Sequence, residues 1–389
     1  MRYLTAGESH GKALVGIIEG LPSNIAIDAE AIVHQLQRRK QGYGRGRRMQ
    51  IETDAIELLS GIRHGLTLGS PIGVILPNKD WKNWQDIMQP EAAEGKIKRQ
   101  VFIPRPGHAD LVGAIKYDYH DLRNALERAS ARETAMRVAL SCFARQFLEQ
   151  LGIHVGSRVT QIGAVADTSA LAHAVSDLNA AVDSSPVRVQ NAEAEAAMVA
   201  AIDEAKAEGD SLGGIFEVYA SGLPVGLGSY SQWDRRLDTR IGAVFLGMNA
   251  IKGVELGLGF EAARVKGSLA HDEMKPGKSP LDVEYATNRA GGIAAGVSTG
   301  QDLIVRVAMK PIATLMKPLQ SVDLRSGEAD KAHIERSDTC AVPAAAVIGE
   351  ALLALALAEF VLEKFGGDSL NEIQTRVQQW RETVSRSAL

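Results

Sequence analysis

Between Asp121 and Gly152 apolar residues recur at spacings of three, four and seven: Leu122, Leu126, Ala129, Met136, Leu140, Phe143 and Phe147. That period predicts one long helix with a single apolar stripe, ended by Gly152. Projected at about 100° per residue, Glu133 falls inside the stripe, with Arg132 and Arg137 near its edges. A charge on the core face of a helix is costly unless it is paired. Two explanations stand: a Glu133–Arg137 pair at i,i+4, or an anion site lined by Arg132 and its neighbours.

The same patterning predicts a helix over 28–40 with Ile32 and Leu36 on its core face, and further helices over 170–181 and 235–249. Asn191 caps a helix over 192–206 that Gly209 ends. The most apolar run, Val342–Phe365, is interrupted by Glu350 and Glu359 and reads as a buried core helix, not a membrane span. Ser369 to Glu372 is a capping box for a last helix with Ile373, Val377, Trp380 and Val384 on its apolar face. Strands are expected over 14–19, 50–57, 57–62, 72–76, 153–165, 214–220 and 303–308. The polar stretch 78–98, with Trp81 and Trp84, reads as a long surface loop, and 268–300 as mobile loops. No Gly/Ser linker divides the chain, so a single domain over residues 1–389 is expected.

Composition narrows the class. Aromatic residues make up 5% and glycines number 38, so the helices must pack through Ala, Val, Leu and Ile. A net charge of −4 argues against a general nucleic-acid coat, so any basic patch is local. The two cysteines, Cys142 and Cys340, lack metal-ligand spacing, and together with an N-terminus that has no apolar segment they suggest a reducing cytoplasm. No metal, membrane or nucleic-acid partner is expected.

Three stretches carry candidate chemistry. Residues 38–48 hold six basic residues in eleven, interleaved with glycine. Such a tract binds RNA when disordered; between a helix and strands it can bring guanidiniums and backbone against phosphate or carboxylate, or be a solvated charge run. His10 and His108 each lie in a loop with a carboxylate and a glycine within three residues, which suits a positioned general acid near neutral pH. A loop histidine is also commonly a plain surface residue. Near the C-terminal helix, Ser337 or Asp338 can act as an ordinary helix cap. Lys310 and Thr314 follow a strand and can wrap a cofactor phosphate or simply mark a strand exit. The Rossmann, Walker and nucleophile-elbow motifs are absent.

Taken together these stretches resemble the chorismate synthase family. The carriers are AGESHG at 6–11, RRKQGYGRGRRM at 38–49, RPGHADL at 105–111 and DLRNALERASARETAMRVA at 121–139. GDSLGG at 209–214, MNAIKGVELG at 248–257, MKPIATL at 309–315 and RSDTCAVPAA at 336–345 complete the set in family order. The resemblance implies an α+β fold, a single-domain β-α-β sandwich with long core helices between antiparallel sheets, assembled as a homotetramer. It implies a lyase that makes chorismate from 5-enolpyruvylshikimate 3-phosphate by an anti 1,4-elimination of phosphate, with reduced FMN as cofactor. The hydrogen lost is not acidic, and a flavin can lend electron density while phosphate leaves. NADPH is implied as an indirect electron source, and an external flavin reductase or other donor as supplier of reduced FMN.

Residue by residue, the resemblance makes His10 the group that protonates the reduced flavin near N1 and His108 the one that assists the departing phosphate. Asp338 would act as base toward flavin N5, with Ser9 and Ser130 as proton relays. Arg39, Arg45, Arg105, Arg132 and Arg336 would hold substrate or cofactor anions, Arg39 and Arg45 also NADPH. FMN would lie against Arg128, Ala129, Ser130, Asn249, Ala250, the run Lys310, Pro311, Ile312, Ala313 and Thr314, and Arg336. One departure stands out: Ala295 occupies a position where many members carry a glycine that approaches the flavin. Its methyl group is tolerated there if φ is negative.

Overall fold

The computed structural model describes residues 1–46, 54–92, 95–279, 281–335 and 337–386. It is an α+β protein in which helices mix with antiparallel sheets. One sheet runs in the order Arg2–Ala6, Ala13–Glu19, Ile72–Pro77, Glu57–Leu58. Its strands alternate: Leu14, Ile18, Ile72, Val74 and Leu76 are buried, while Val15 and Ile17 face outward. A second sheet runs Ile251–Leu256, Leu303–Met309, Gly214–Ser221, His154–Ile162, Val165–Ala166. Its register places Glu255, Arg306, Glu217 and Arg158 side by side across four strands, an alternating row of charge joined by ion pairs.

The long helices join the two sheets. Thr134–Glu149 packs on the buried face of the first, and Val342–Phe365 packs on His154–Ile162 and Gly214–Ser221 of the second. The two helices also pack on each other. Glycine permits both close approaches. A Cβ at Gly16 would sit 2.5 Å from Met136 Sδ, and one at Gly349 would sit 2.8 Å from Phe216 Cε2. The core-helix reading of Val342–Phe365 holds, since almost all of it is buried inside the protein.

Glu350, the charge that interrupts that helix, is fully buried and held by Arg38 at 2.9 and 3.0 Å, Arg145 at 2.8 Å, Arg188 at 3.2 Å and Ser157 at 2.5 Å. A buried carboxylate persists only with such a full set of donors. Arg38 therefore belongs to the core, not to a solvated run, and it anchors the C-terminal end of helix Ala29–Lys40 beside Arg39.

Several sequence expectations are revised. The single helix from 121 to 152 is two helices, Arg123–Arg128 and Thr134–Glu149, joined through a turn at Ala131–Glu133. Ser130 breaks it: its backbone is extended and its hydroxyl accepts from the Arg132 N–H, a local bond that competes with helix. Of the two readings of the charges there, the Glu133–Arg137 pair is formed, at 2.7 Å, and Arg132 faces a cavity. The stretch 78–98 is not all surface loop, for it contains the short helices Lys79–Asn83 and Gln85–Met88 and buries Trp84 between them. Of the strand expected over 50–57, residues 50–53 lie outside the described residues and only Glu57 is in a strand. The strand Arg2–Ala6 went unread. Within 268–300 the chain forms two hairpins, Met274–Pro276 with Val283–Tyr285 and Ile293–Ala294 with Val297–Ser298.

Candidate active site

A cavity of about 450 Å³ opens where the turn before Ala13–Glu19, the loop after helix Ala29–Lys40, the 105–110 turn and the helix break at 129–132 converge with residues 309–314 and 337–338. That volume is in the range of small-molecule and cofactor sites. Leu126, Met248, Ala344, Ala345 and Ile348 supply an apolar wall, and arginines, histidines and hydroxyls supply the remainder.

His10 is buried and held in three ways. Its backbone N–H donates to Glu127 Oε2 at 2.8 Å, its ring Nδ1 lies 2.8 and 2.9 Å from the two Glu127 oxygens, and its ring stacks on Trp84 at 3.7 Å. Glu127 is itself gripped by Arg123 Nη1 at 3.0 Å. With Nδ1 committed to a carboxylate, Nε2 is the nitrogen through which this ring can exchange a proton with the cavity. Beside it the Ser130 and Ser9 hydroxyls lie 3.1 Å apart, Ser130 having been turned inward by the helix break.

His108 repeats the arrangement. Its Nδ1 is 2.6 Å from Asp110 Oδ1, and Arg105 forks onto the same carboxylate at 2.8 and 2.9 Å. Arg105 also donates to Thr314 Oγ1 at 2.8 Å, tying the 105–110 turn to the 309–314 strand exit. Burial alone would raise the Asp110 carboxyl, but hydrogen bonds and charge from His108 and Arg105 outweigh it and hold it well below the usual carboxylate range. Asp110 therefore stays ionised and orients both partners.

The remaining guanidiniums differ in how far they are satisfied. Arg132 pairs with Asp54 at 2.5 Å and meets Asn78 Oδ1, and Arg45 pairs with Asp338 at 2.7 Å while the Gly46 N–H donates to the same carboxylate at 2.6 Å. Arg39 donates to Thr134 Oγ1 at 3.1 Å and the Ala131 carbonyl at 2.8 Å, yet its Nη1 is buried with no partner among the described residues. Burial, reinforced by the Arg132 charge and partly offset by Asp54, pushes Arg39 down to about 9. It is still a cation at neutral pH. A buried, charged donor without an acceptor is unfavourable until an anion supplies one.

Of the residues singled out from sequence, Ser9, His10, Arg39, Arg45, Arg105, His108, Ala129, Ser130, Arg132, Asn249, Ala250, Lys310 to Thr314 and Asp338 all line this cavity. Asn249 donates to the Ala129 carbonyl at 3.1 Å, and Lys310 to the Gly107 carbonyl. Arg128 does not line it. Its guanidinium turns back to the carbonyls of Thr5 at 2.9 Å and Gly7 at 3.0 Å, bracing the His10 turn instead. Ala295 does not line it either: it sits at the tip of the 293–298 hairpin with φ +50°, so the condition of a negative φ fails there. Arg336 lies outside the described residues.

Sequence reasoning missed four contributors. Glu127 and Trp84 hold His10, Asp110 was seen only as a nearby carboxylate, and Glu335 lines the cavity between His333 and Arg123. Glu335 is held down to about 2, burial opposing and His333, Arg123 and Arg105 prevailing. An Arg123–Glu127 spacing of i,i+4 was a legible signal for one of them.

Comparison with known proteins agrees over the whole length. The family model described as chorismate synthase matches residues 1–362. The chorismate synthase of Brevibacillus brevis is 53% identical over 383 residues, covering 98% of both chains. That of Bacillus subtilis is 52% identical over 386 residues, covering 98% of this chain and 99% of its own. A crystal structure of a chorismate synthase superposes with a TM-score of 0.80 at 41% identity, covering 99% of this chain and 98% of that one.

Proposed function

The chain belongs to the chorismate synthase family, enzymes of the last step of the shikimate pathway, and we propose that it makes chorismate from 5-enolpyruvylshikimate 3-phosphate in this cavity. The reaction is an FMNH2-dependent anti 1,4-elimination of phosphate. The observation that carries the reading is the meeting of two carboxylate-held histidines with Arg39, Arg45, Arg105 and Arg132 around one cavity.

The residues present fit both ligands. The substrate carries a phosphate and two carboxylates, and the partnerless Nη1 of Arg39 asks for an anion. The apolar wall of Leu126, Met248 and Ile348 suits a flat aromatic ring, and Lys310 and Thr314 suit its polar edge and phosphate. Asn249, Ala250 and the 129–130 backbone complete that side. Reduced FMN, when bound, supplies electron density for phosphate departure and takes up the ring hydrogen.

The protein's own groups then divide the work. His108, its Nδ1 fixed by Asp110, delivers a proton from Nε2 to the leaving phosphate oxygen. Arg105, Arg132, Arg39 and Arg45 hold the substrate's anions and keep water from them. His10, when it is the imidazolium, has its exchangeable proton at Nε2, with Ser9 and Ser130 as relays, and Asp338 is the base. Arg39 and Arg45 are also the groups we assign to NADPH, as an indirect electron source.

We further read residues 1–389 as one β-α-β sandwich domain working as a cytoplasmic homotetramer supplied with reduced FMN by an external reductase. An RNA-binding tract would need its guanidiniums outside. Arg38 and Arg39 are buried and Arg45 is paired, which favours the cavity. Phosphate release from substrate, measured anaerobically with reduced FMN, tests the assignment; salt-sensitive RNA binding without phosphate release would replace it.

A further inference from the structure

His10 depends on two neighbours that lie outside the set of groups assigned above. Trp84 stacks on its ring with centroids 3.7 Å apart and planes inclined by 19°. The indole is itself fixed, its N–H donating to Asp80 Oδ2 at 2.9 Å and the Arg99 guanidinium lying 4.5 Å from its ring centroid. Glu127 takes both the backbone N–H and the ring Nδ1 of His10, and Arg123 holds that carboxylate from behind. An imidazole has two torsions and two neutral tautomers to settle. Stacking restricts the ring plane, and a carboxylate at Nδ1 selects the Nδ1–H tautomer, leaving the lone pair at Nε2.

We propose that Trp84 and Glu127 are positioning residues for His10, the indole setting its ring plane and the carboxylate its tautomer, so that Nε2 addresses the cavity. The inference rests on the reading of His10 as a proton-handling residue. It explains why a tryptophan inside an otherwise polar stretch is buried. It also separates the roles of the two: loss of Trp84 should leave the tautomer in place, and loss of the Glu127 charge should leave the stacking in place.

The test uses the full chain. Ring ¹⁵N shifts of His10 are recorded without flavin in wild type, Glu127→Gln, Trp84→Phe and Trp84→Leu. Turnover with reduced FMN is measured in each, and for Trp84→Leu also in a His10→Ala background. Leucine fills volume without a π face, so a folding failure is less of a hazard than with alanine. In wild type the neutral ring should report Nδ1–H, and Glu127→Gln should bring up the Nε2–H form. Trp84→Leu should lower kcat by up to about 10²-fold with KM nearly unchanged, the scale of a misplaced catalytic group, and Trp84→Phe should recover most of it. In the His10→Ala background the leucine substitution should have no further effect. A loss that multiplies with His10→Ala, or a tautomer indifferent to Glu127→Gln, would overturn the proposal. Wild-type turnover in His10→Ala alone would instead remove His10 from the reaction, while the ring shifts still decide whether the two neighbours hold it.

Discussion

The Nδ1 of His108 lies 2.6 Å from Oδ1 of Asp110, and the same buried carboxylate receives the fork of Arg105. One side chain thus sets the tautomer of a histidine and the direction of a guanidinium. His108→Ala is expected to slow turnover by roughly 10²-fold or more, the usual scale for losing a general acid, with the fold retained. Asp110→Asn should reproduce much of that loss, because the amide can no longer hold both partners. Steady-state kinetics with circular dichroism checks both, and wild-type turnover in His108→Ala would remove that residue from the mechanism.

Arg45 lines the cavity and pairs with Asp338 2.7 Å away. If its task is to hold an anion, Arg45→Ala should raise KM more than it lowers kcat. Arg39→Lys is the companion variant: it keeps a charge but loses the fork whose Nη1 stands without a partner, so it too should raise KM. An unchanged KM in both would contradict the assignment.

Acid should unfold this protein through its buried carboxylates. Burial would raise Glu350, but the charges and hydrogen bonds of Arg38, Arg145 and Arg188 outweigh it and hold it far below its ordinary 4.5. A carboxyl whose folded-state value is depressed contributes stability that is complete above its unfolded-state value and drains as pH falls through the folded-state one. Asp110 acts in the same direction, and so does Glu335, held down to about 2. The melting temperature should therefore fall steeply as pH drops below about 4.5. Glu350→Gln should flatten part of that fall while costing about 3–5 kcal/mol at neutral pH, since it strands buried arginines. Thermal melts across pH decide it; an unaltered profile in the variant would refute the role of Glu350.

Ala295 occupies the left-handed region at φ +50°, followed by Gly296 at φ +85°, in a two-residue hairpin turn. Both positive values fit a turn that glycine enters without strain. Ala295→Gly is expected to stabilise the protein by about 1 kcal/mol and to leave turnover unchanged, because the residue does not line the cavity. A large gain in activity would mean that this hairpin reaches the site after all.

Periodicity carried the helices well. Ile32 and Leu36 are buried as expected, Asn191 caps its helix through two backbone N–H groups, and Val342–Phe365 is core. It failed at Ser130, where a side-chain bond to the backbone outcompetes one helical turn, and at Trp84, where a polar neighbourhood concealed an aromatic that tertiary packing buries. The arginine tract shows the limit most clearly. Arg38 and Arg39 are adjacent, yet the first neutralises a core glutamate and the second faces the cavity. Nothing in the local sequence separates them, because the difference is set by Glu350, more than three hundred positions away.

If one cavity both binds flavin and eliminates phosphate, a single turnover must couple the two. Wild-type protein is mixed anaerobically with FMN and 5-enolpyruvylshikimate 3-phosphate, with the flavin either oxidised or reduced, and phosphate and chorismate are followed together. The expected result is equal amounts of phosphate and chorismate with reduced FMN, none with oxidised FMN, and a transient change in flavin absorbance. Phosphate release that ignores the state of the flavin, or no release at all, would contradict it.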